Sequence, residues 1–455
     1  MKEIYFDHSA TTAVKREVLN EMIPYFNLEY GNPSSLYYIG REAKRAIECA
    51  RRKVARAINC CEEEIYFTSC GSESDNLAIK GFAYANRCRG NHIITSKIEH
   101  PAVLNTCKNL EHKGFRVTYL NVDENGFVDI NELKHEICNG TILISIMMAN
   151  NELGTIQNIK EIGKIAHRNN IVFHTDAVQA VGNIKIDVQS MNVDMLSMSA
   201  HKFYGPKGVG ALYVRKGINF ERIQDGGHQE KNKRSGTENV AGIVGLGKAI
   251  EIATYNIDRY NKKLLALRQY CISRLIENIK DIKINGDLTN RLPGNINVSF
   301  KGCDSSDILM KLDEVGICAS GGSACSSGTA TPSHVLMAIG LDKEWLEGTI
   351  RITLGDENIK EDIDYLVVNL IEIIKKLNFS RNEFEMMQHS IEEMEADHQE
   401  FTRLIRENQA ILYDFIKCRI LDKSLAQDVL QETLYIAYKK WDQLKEHPNQ
   451  TGFLI

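Results

Sequence analysis

The sequence predicts an α/β protein with a mostly parallel sheet, a smaller α+β region after it, and an all-helical C-terminal segment. Three observations predict this. At 455 residues the chain is too long for one core of ordinary size. Between about residues 15 and 260, short apolar β-rich runs alternate with helical stretches, the pattern of a sheet covered on both faces. Roughly the last 75 residues are charged and helical, with little sign of a sheet.

The predicted strands follow in order: "EIYFTS" (64–69), "HIITS" (92–96), "RVTYL" (116–120), "TILISIM" (141–147), "IVFHTDA" (171–177), "DMLSMSA" (194–200) and "GALYVRK" (210–216). Helices over 41–58 and 158–168 lie between them. From about 261 the texture changes to a helix over 262–279, a strand "NINVSF" (295–300), a helix from Ser305, and the glycine-serine stretch "SGGSACSSGT" (320–329). A strand "TIRITLG" (349–355) and a helix over 358–377 complete that region. The expected domains are therefore 15–260, then 1–14 joined with 261–378, then a helical extension over 379–455. In the extension, Leu425, Val429, Leu430, Leu434, Ala437 and Trp441 recur at helical spacing, and Ser424 with Gln427 fits a capping box. The extension reads as an incomplete unit.

Composition narrows the function classes. Apolar content of 43% with seven prolines describes a globular chain, and a net charge of −5 gives no reason to expect nucleic acid or an anionic membrane as partner. No apolar run approaches a membrane span, and no signal core opens the chain. The twelve cysteines lack a paired C-x-x-C framework, and Cys60 and Cys61 are adjacent, so free thiols in a cytoplasmic setting are expected and a zinc site is not. Neither G-x-G-x-x-G after the first strand nor G-x-x-x-x-G-K-[ST] occurs, which lowers nicotinamide and P-loop readings.

The chemistry gathers at strand ends. Lys202 follows a predicted strand in "SMSAHKFYGPKGVGALYV", with Ser197, Ser199 and His201 nearby. It is either a surface lysine or one that binds a carbonyl compound, the usual attachment of pyridoxal phosphate. In a parallel sheet, ligands bind beyond the carboxyl ends of the strands, where Lys202 falls. That cofactor also needs a carboxylate for its ring nitrogen. Asp176 ends the strand "IVFHTDA", with Gln179 three residues on, and is either a helix cap or such a ligand. The phosphate needs donors at a helix start, which "TSCGSESDN" supplies through Gly71 and Ser72. His100 is placed to cover a ring face, and Asn151 to contact the ring hydroxyl or a substrate carboxylate.

With these motifs in place the chain resembles the cysteine desulfurases of the class V aminotransferase-like superfamily over roughly residues 3–378. The likeness runs through "YFDHSATT", "GNPSSLYYIG", "FTSCGSESDN", "TSKIEHPAV", "NNELGTIQ", "HTDAVQAVG", "SAHKFYGPKGVGALYV", "GGHQEKNKRSGTENV", "GGSACSSGTATPSHVL" and "IRITLG". It implies the fold type I of pyridoxal-phosphate enzymes, with a seven-stranded sheet in the large domain. It implies Lys202 as the cofactor-bearing lysine, Asp176 at the ring nitrogen, Gln179 at the phenolic oxygen, and His100 stacked on the ring and moving protons. Gly71, Ser72, Ser199 and His201 would hold the phosphate, with Thr237 reaching it from the second subunit of a homodimer. Asn151 and Arg351 would hold the substrate carboxylate, and Cys325 would be the nucleophile.

The implied reaction takes L-cysteine and an acceptor thiol to L-alanine and a persulfide on Cys325. The acceptor would be an iron–sulfur scaffold protein or a tRNA-thiolation enzyme. No resident metal is implied beyond a cluster shared transiently between Cys325 and such a scaffold. The glycines and serines around Cys325 suit a bending mount for a sulfur carrier. Cys70 departs from the family's usual glycine beside the phosphate turn. A selenocysteine lyase shares this pattern, whereas a class V aminotransferase has no use for an exposed nucleophilic thiol. The segment "FTRLIRENQAILYDFIKCRILDKSLAQDVLQETLYIAYKKWDQL" resembles the start of region 2 of extracytoplasmic-function sigma factors, which contacts RNA polymerase. Residues 391–455 carry twelve acidic and eight basic side chains, so direct nucleic-acid binding is not expected.

Overall fold

In the computed structural model, residues 3–321, 333–393, 399–420 and 422–440 are described, without side chains for 379–401 and 423. Two compact units result, Met1–Ile373 and Ile374–Ile455.

The first unit is organised by a seven-stranded sheet. Across it the strands run Ile65–Thr68, Gly210–Val214, Met195–Ser199, Val172–Asp176, Thr141–Ser145, His92–Ser96 and Arg116–Leu120. Gly210–Val214 pairs antiparallel with both neighbours, and the other pairs are parallel. Alternation within the strands explains how both faces are buried. Ile94, Ile144, Phe173 and Leu196 join one apolar cluster, and their neighbours Ile93, Leu143, Val172 and Met195 join another. Helices Tyr38–Ile58, Ile159–Arg168 and Val240–Tyr255 contribute to the first cluster, and Gly71–Ala85 and Pro101–Glu111 to the second. Helix Tyr38–Ile58 buries Ala43, Ile47, Ala50, Val54 and Ile58 on one stripe and ends where Asn59 turns left-handed at φ 59°.

A four-stranded antiparallel sheet, in the order Ser320–Gly321, Thr349–Thr353, Asn295–Phe300 and Ile282–Ile284, follows in sequence. The N-terminal strand Ile4–Tyr5 pairs with Ile317–Cys318, so the start of the chain is tied to this later region.

In the second unit, helices Gln399–Lys417 and Lys423–Lys439 form a hairpin. Leu404, Ile405, Leu412 and Ile416 pack with Ala426, Leu430, Leu434 and Ala437. Two local expectations change. The helix expected to end near 377 runs over Lys360–Glu393, because residues 378–393 hold no glycine or proline to stop it. The cap of the last helix is Asp422, whose carboxylate accepts from the Ser424 and Leu425 N–H groups at 2.8 and 3.2 Å, in place of the Ser424 capping box. An ionised carboxylate two residues earlier is the stronger acceptor.

Candidate active site

The carboxyl ends of the parallel strands converge on a cavity of about 300 Å3. Gly71, Ser72, His100, Asn151, Asp176, Gln179, Ser199, His201, Lys202 and Arg351 all line it. Ten of the twelve residues singled out in the sequence are thus brought together. Thr237 is exposed and is not among the lining residues, and Cys325 lies outside the described residues.

Lys202 closes the single turn Ala200–Lys202 after strand Met195–Ser199. Its Nζ donates to the Ala10 carbonyl at 2.8 Å and to the Ser9 carbonyl. Gln179 Nε2 donates to the same Ser9 carbonyl at 2.9 Å. Neighbouring His201 bonds Thr11 Oγ1 through Nδ1 at 3.1 Å, and burial, then Lys202 and Lys207, lower its pKa to about 4. It is neutral at pH 7.

Asp176 ends its strand buried, with Oδ1 accepting from the Val178 N–H at 2.9 Å. Burial raises its pKa, against the opposing pull of His100, the Val178 N–H and Lys202. No helix follows Asp176, so it caps a turn rather than a helix, and it also lines the cavity. A second acid in the lining is Asp75, only 1% exposed and four residues into helix Gly71–Ala85. Burial, then the nearby Asp176, hold its carboxyl well above the usual range. Sequence reasoning passed over it, because one acid among the polar residues of "SDNLAIKGF" ordinarily belongs to a solvated helix face. His174 stands 3.7 Å from Asp75 Oδ1, bonds Ser145 and Ser197 hydroxyls at 2.9 and 3.0 Å, and is pushed by burial to about 3.

His100 is the N-cap of helix Pro101–Glu111, its Nδ1 accepting from the Ala102 N–H at 3.1 Å. That bond places the proton of the neutral ring on Nε2. Burial lowers the pKa of His100, and nearby Lys202 and His334 act in the same direction while Asp176 opposes. Before it, Glu99 accepts from Ser96 Oγ at 2.6 Å and the Met147 N–H at 2.9 Å, and complete burial raises it to about 8.

Arg351, 1% exposed in strand Thr349–Thr353, donates from Nη2 to Asp7 Oδ1 at 2.7 Å and from Nη1 to the Asn151 carbonyl at 3.1 Å. Asp7, Ser9 and Ala10 lie in "YFDHSATT" but were assigned no role there, because their partners lie some 190 to 344 positions away.

The donor set fits pyridoxal phosphate. Ser199 is 2% exposed, its Oγ is buried without a hydrogen-bond partner, and it lines the cavity near the start of a 15-residue helix. An unspent hydroxyl and a helix N-terminus are what a phosphate uses. At Gly71 an added Cβ would lie 2.6 Å from Val178 Cγ2, so only glycine lets the helix start this close to the Asp176 turn. A buried acid held above its ordinary pKa is a place where a cationic ring nitrogen supplies the missing charge.

Comparison with known proteins agrees with this geometry. The family model described as Aminotransferase class-V matches residues 4–366. A Clostridium botulinum protein named cysteine desulfurase IscS is 54% identical over 377 residues, 82% of this chain and 95% of that protein. A Methanosarcina thermophila protein of the same name is 54% identical over 376 residues, 83% of this chain and 93% of that one. A solved NifS-like protein superposes with a TM-score of 0.78 at 41% identity, covering 83% of this chain and 100% of its own.

Proposed function

Because the chain belongs to the class-V aminotransferase family, we propose that it is a pyridoxal-phosphate-dependent cysteine desulfurase. It converts L-cysteine and an acceptor thiol to L-alanine and an enzyme-bound persulfide, and supplies sulfur for iron–sulfur clusters. The observation that carries this reading is the single cavity lined by Lys202, buried Asp176 and the unpartnered Ser199 hydroxyl.

When bound, pyridoxal phosphate supplies an electron sink for the substrate's α-carbon. Lys202 Nζ would be the attachment point, and its free amine would be the base that moves the substrate's α-proton. The Ser9 and Ala10 carbonyls hold that amine at the cavity. Asp176 would hold the protonated ring nitrogen, Gln179 the phenolic oxygen, and Ser72, Ser199 and His201 the phosphate. His100 offers an Nε2–H donor, because its Nδ1 is engaged by the helix it caps. Arg351 takes the substrate carboxylate with Asn151, and Asp7 fixes the plane of its guanidinium. Cys325, as thiolate, attacks the substrate sulfur.

The assembly we propose is a homodimer in which the partner subunit completes the phosphate site through Thr237. Supporting this are the exposed side chains of Phe26, Leu28, Tyr30, Leu36, Tyr37 and Tyr38, which reach 88% exposure at Leu36. The sulfur acceptor is a scaffold protein or a thiolation enzyme. A cytoplasmic setting is supported by the eleven cysteines among the described residues, all of them free thiols. No helix among the described residues is long and apolar enough to cross a membrane. The division into residues 15–260 and 1–14 with 261–378 is supported by the seven-stranded sheet lying in the first span.

The test is to feed L-cysteine and a reducing thiol to the purified protein and quantify alanine and sulfide. Alanine and sulfide should form in equal amounts, and Cys325→Ala should lower the rate at least about a hundredfold. Absence of alanine from the unaltered protein would sink the activity, and an unchanged rate in Cys325→Ala would sink the nucleophile.

A further inference from the structure

One thiol stands among the residues assigned to the cofactor. Cys70 is the N-cap of helix Gly71–Ala85 and lines the cavity together with Ser72, Ser199 and Lys202. Among the described cysteines it alone does so. Its backbone is pinned. The carbonyl accepts from the Thr68 and Ser74 hydroxyls, each at 3.2 Å, and from the Ser74 N–H at 3.1 Å. The sulfur is held far more loosely, with the Ser69 hydroxyl at 3.7 Å, and the residue is half-buried rather than enclosed. The buried, unpartnered Ser199 hydroxyl in the same lining is the independent sign that an anionic group belongs here.

We propose that Cys70 is a thiol–disulfide exchange site that makes cofactor loading sensitive to small disulfides of the cystine class. The proposal rests on the reading of this cavity as the cofactor site. In the exchange, the Cys70 sulfur, its proton given to solvent, attacks one sulfur of the disulfide. A new S–S bond joins Cys70 to one half, the original S–S bond breaks, and the other half leaves as a thiolate that takes up a proton. Cys70 is oxidised and the departing half is reduced, so no further oxidant is needed. The attached half then occupies space in a cavity of about 300 Å3 that also has to receive the cofactor. Its carboxylate competes for the donors that serve the phosphate. Exclusion is mutual, because whatever blocks the cofactor is itself blocked by it. The disulfide of choice follows from the substrate, since oxidation of a cysteine pool yields cystine. An enzyme that consumes cysteine would thus lose its capacity to load cofactor when that pool becomes oxidised, and regain it on reduction.

The experiment uses the full-length protein with and without pyridoxal phosphate, treated with L-cystine. The Cys70 peptide is followed by mass, and cofactor uptake by the visible absorption of the bound cofactor, neither of which depends on turnover. Cysteinylation of Cys70 should be at least about tenfold slower in the loaded protein. The adduct should take up cofactor at least about a hundredfold more weakly, with recovery on adding a reducing thiol. Cystine treatment should leave uptake by Cys70→Ala unaffected, and Cys70→Ser provides the same reading should the alanine variant fold poorly. Equal modification of loaded and stripped protein, unchanged uptake by the adduct, or an equal block in both variants would each overturn the proposal. Failure of the untreated protein to take up cofactor would instead overturn the reading of the cavity.

Discussion

Lys202 lines two cavities of nearly equal volume, about 300 and about 330 Å3, and they differ in what their polar groups have left to do. In the first, Ser199 Oγ and Arg351 Nε are buried without hydrogen-bond partners. In the second, no lining residue among those described carries such an atom. Its groups satisfy one another. Lys15 Nζ meets Asp356 Oδ2 at 2.7 Å, the Tyr204 and Tyr260 hydroxyls meet at 2.9 Å, and the Asp356 N–H donates to Tyr204 at 2.7 Å. Volume alone would not tell a ligand site from a structural recess. Unspent hydrogen-bonding capacity does, because burying a polar atom without a partner costs free energy that a ligand can return.

The second cavity still matters to the first. Tyr204 has φ 64°, a left-handed backbone that an aromatic residue seldom adopts. It is held there by the Thr12 hydroxyl on its N–H at 2.8 Å, by the hydroxyl contacts above, and by the Lys15 ammonium 4.7 Å from its ring. The turn that presents Lys202 is therefore clamped from the side of the second cavity.

The largest effect that sharpens this contrast is Lys202→Ala. Turnover should fall at least about a thousandfold, and the visible band of the attached cofactor should disappear while the chain stays folded. A variant that retained more than about a tenth of the alanine-forming rate would break the contrast, because it would overturn the proposal that Lys202 is the cofactor's attachment point.

How much of this was legible beforehand depends on how far apart in sequence the partners lie. The positions of Asp176 and Lys202 in the cavity were readable because one ends an apolar strand and the other closes the turn just after one, where an acid or lysine stands out against its neighbours. The two faces of the sheet were readable from the same alternation. Ser9 and Ala10, which hold Lys202, were not, because backbone carbonyls leave no mark in the sequence and lie about 190 positions from their partner. Asp7 shares "YFDHSATT" with them, yet only the fold brings it to Arg351. Asp75 was hidden differently, as one acid in a helix where a solvated face is the ordinary outcome. At the C-terminal end, the Asp422 cap was missed because two acceptors compete for one helix start.

A second, smaller effect comes from an acid behind the first cavity. Glu99 is fully buried with a pKa of about 8, and one of its carboxylate oxygens has no partner. Its folded-state pKa is raised above the unfolded value, so between about pH 4.5 and 8 the folded chain binds more protons. Stability from this group therefore falls as pH rises, by at most about 1.4 kcal/mol per unit. Glu99→Gln keeps the shape and cannot ionise. Urea midpoints at pH 5.5 and 7.5 should show the pH-dependent loss shrinking in the variant, and an identical slope would mean that Glu99 is ionised in the folded protein.

The smallest effect belongs to the second cavity. Tyr204→Phe removes the hydroxyl that meets Tyr260 and the Asp356 N–H and leaves the ring in place. Unfolding stability should fall by about 1 to 2 kcal/mol, with alanine formation changed less than about threefold. The two readouts separate the cavities. If stability drops and turnover holds, the hydroxyl serves only the clamp. If turnover drops while stability holds, the second cavity takes part in the reaction, and spent hydrogen bonds no longer mark a recess as structural.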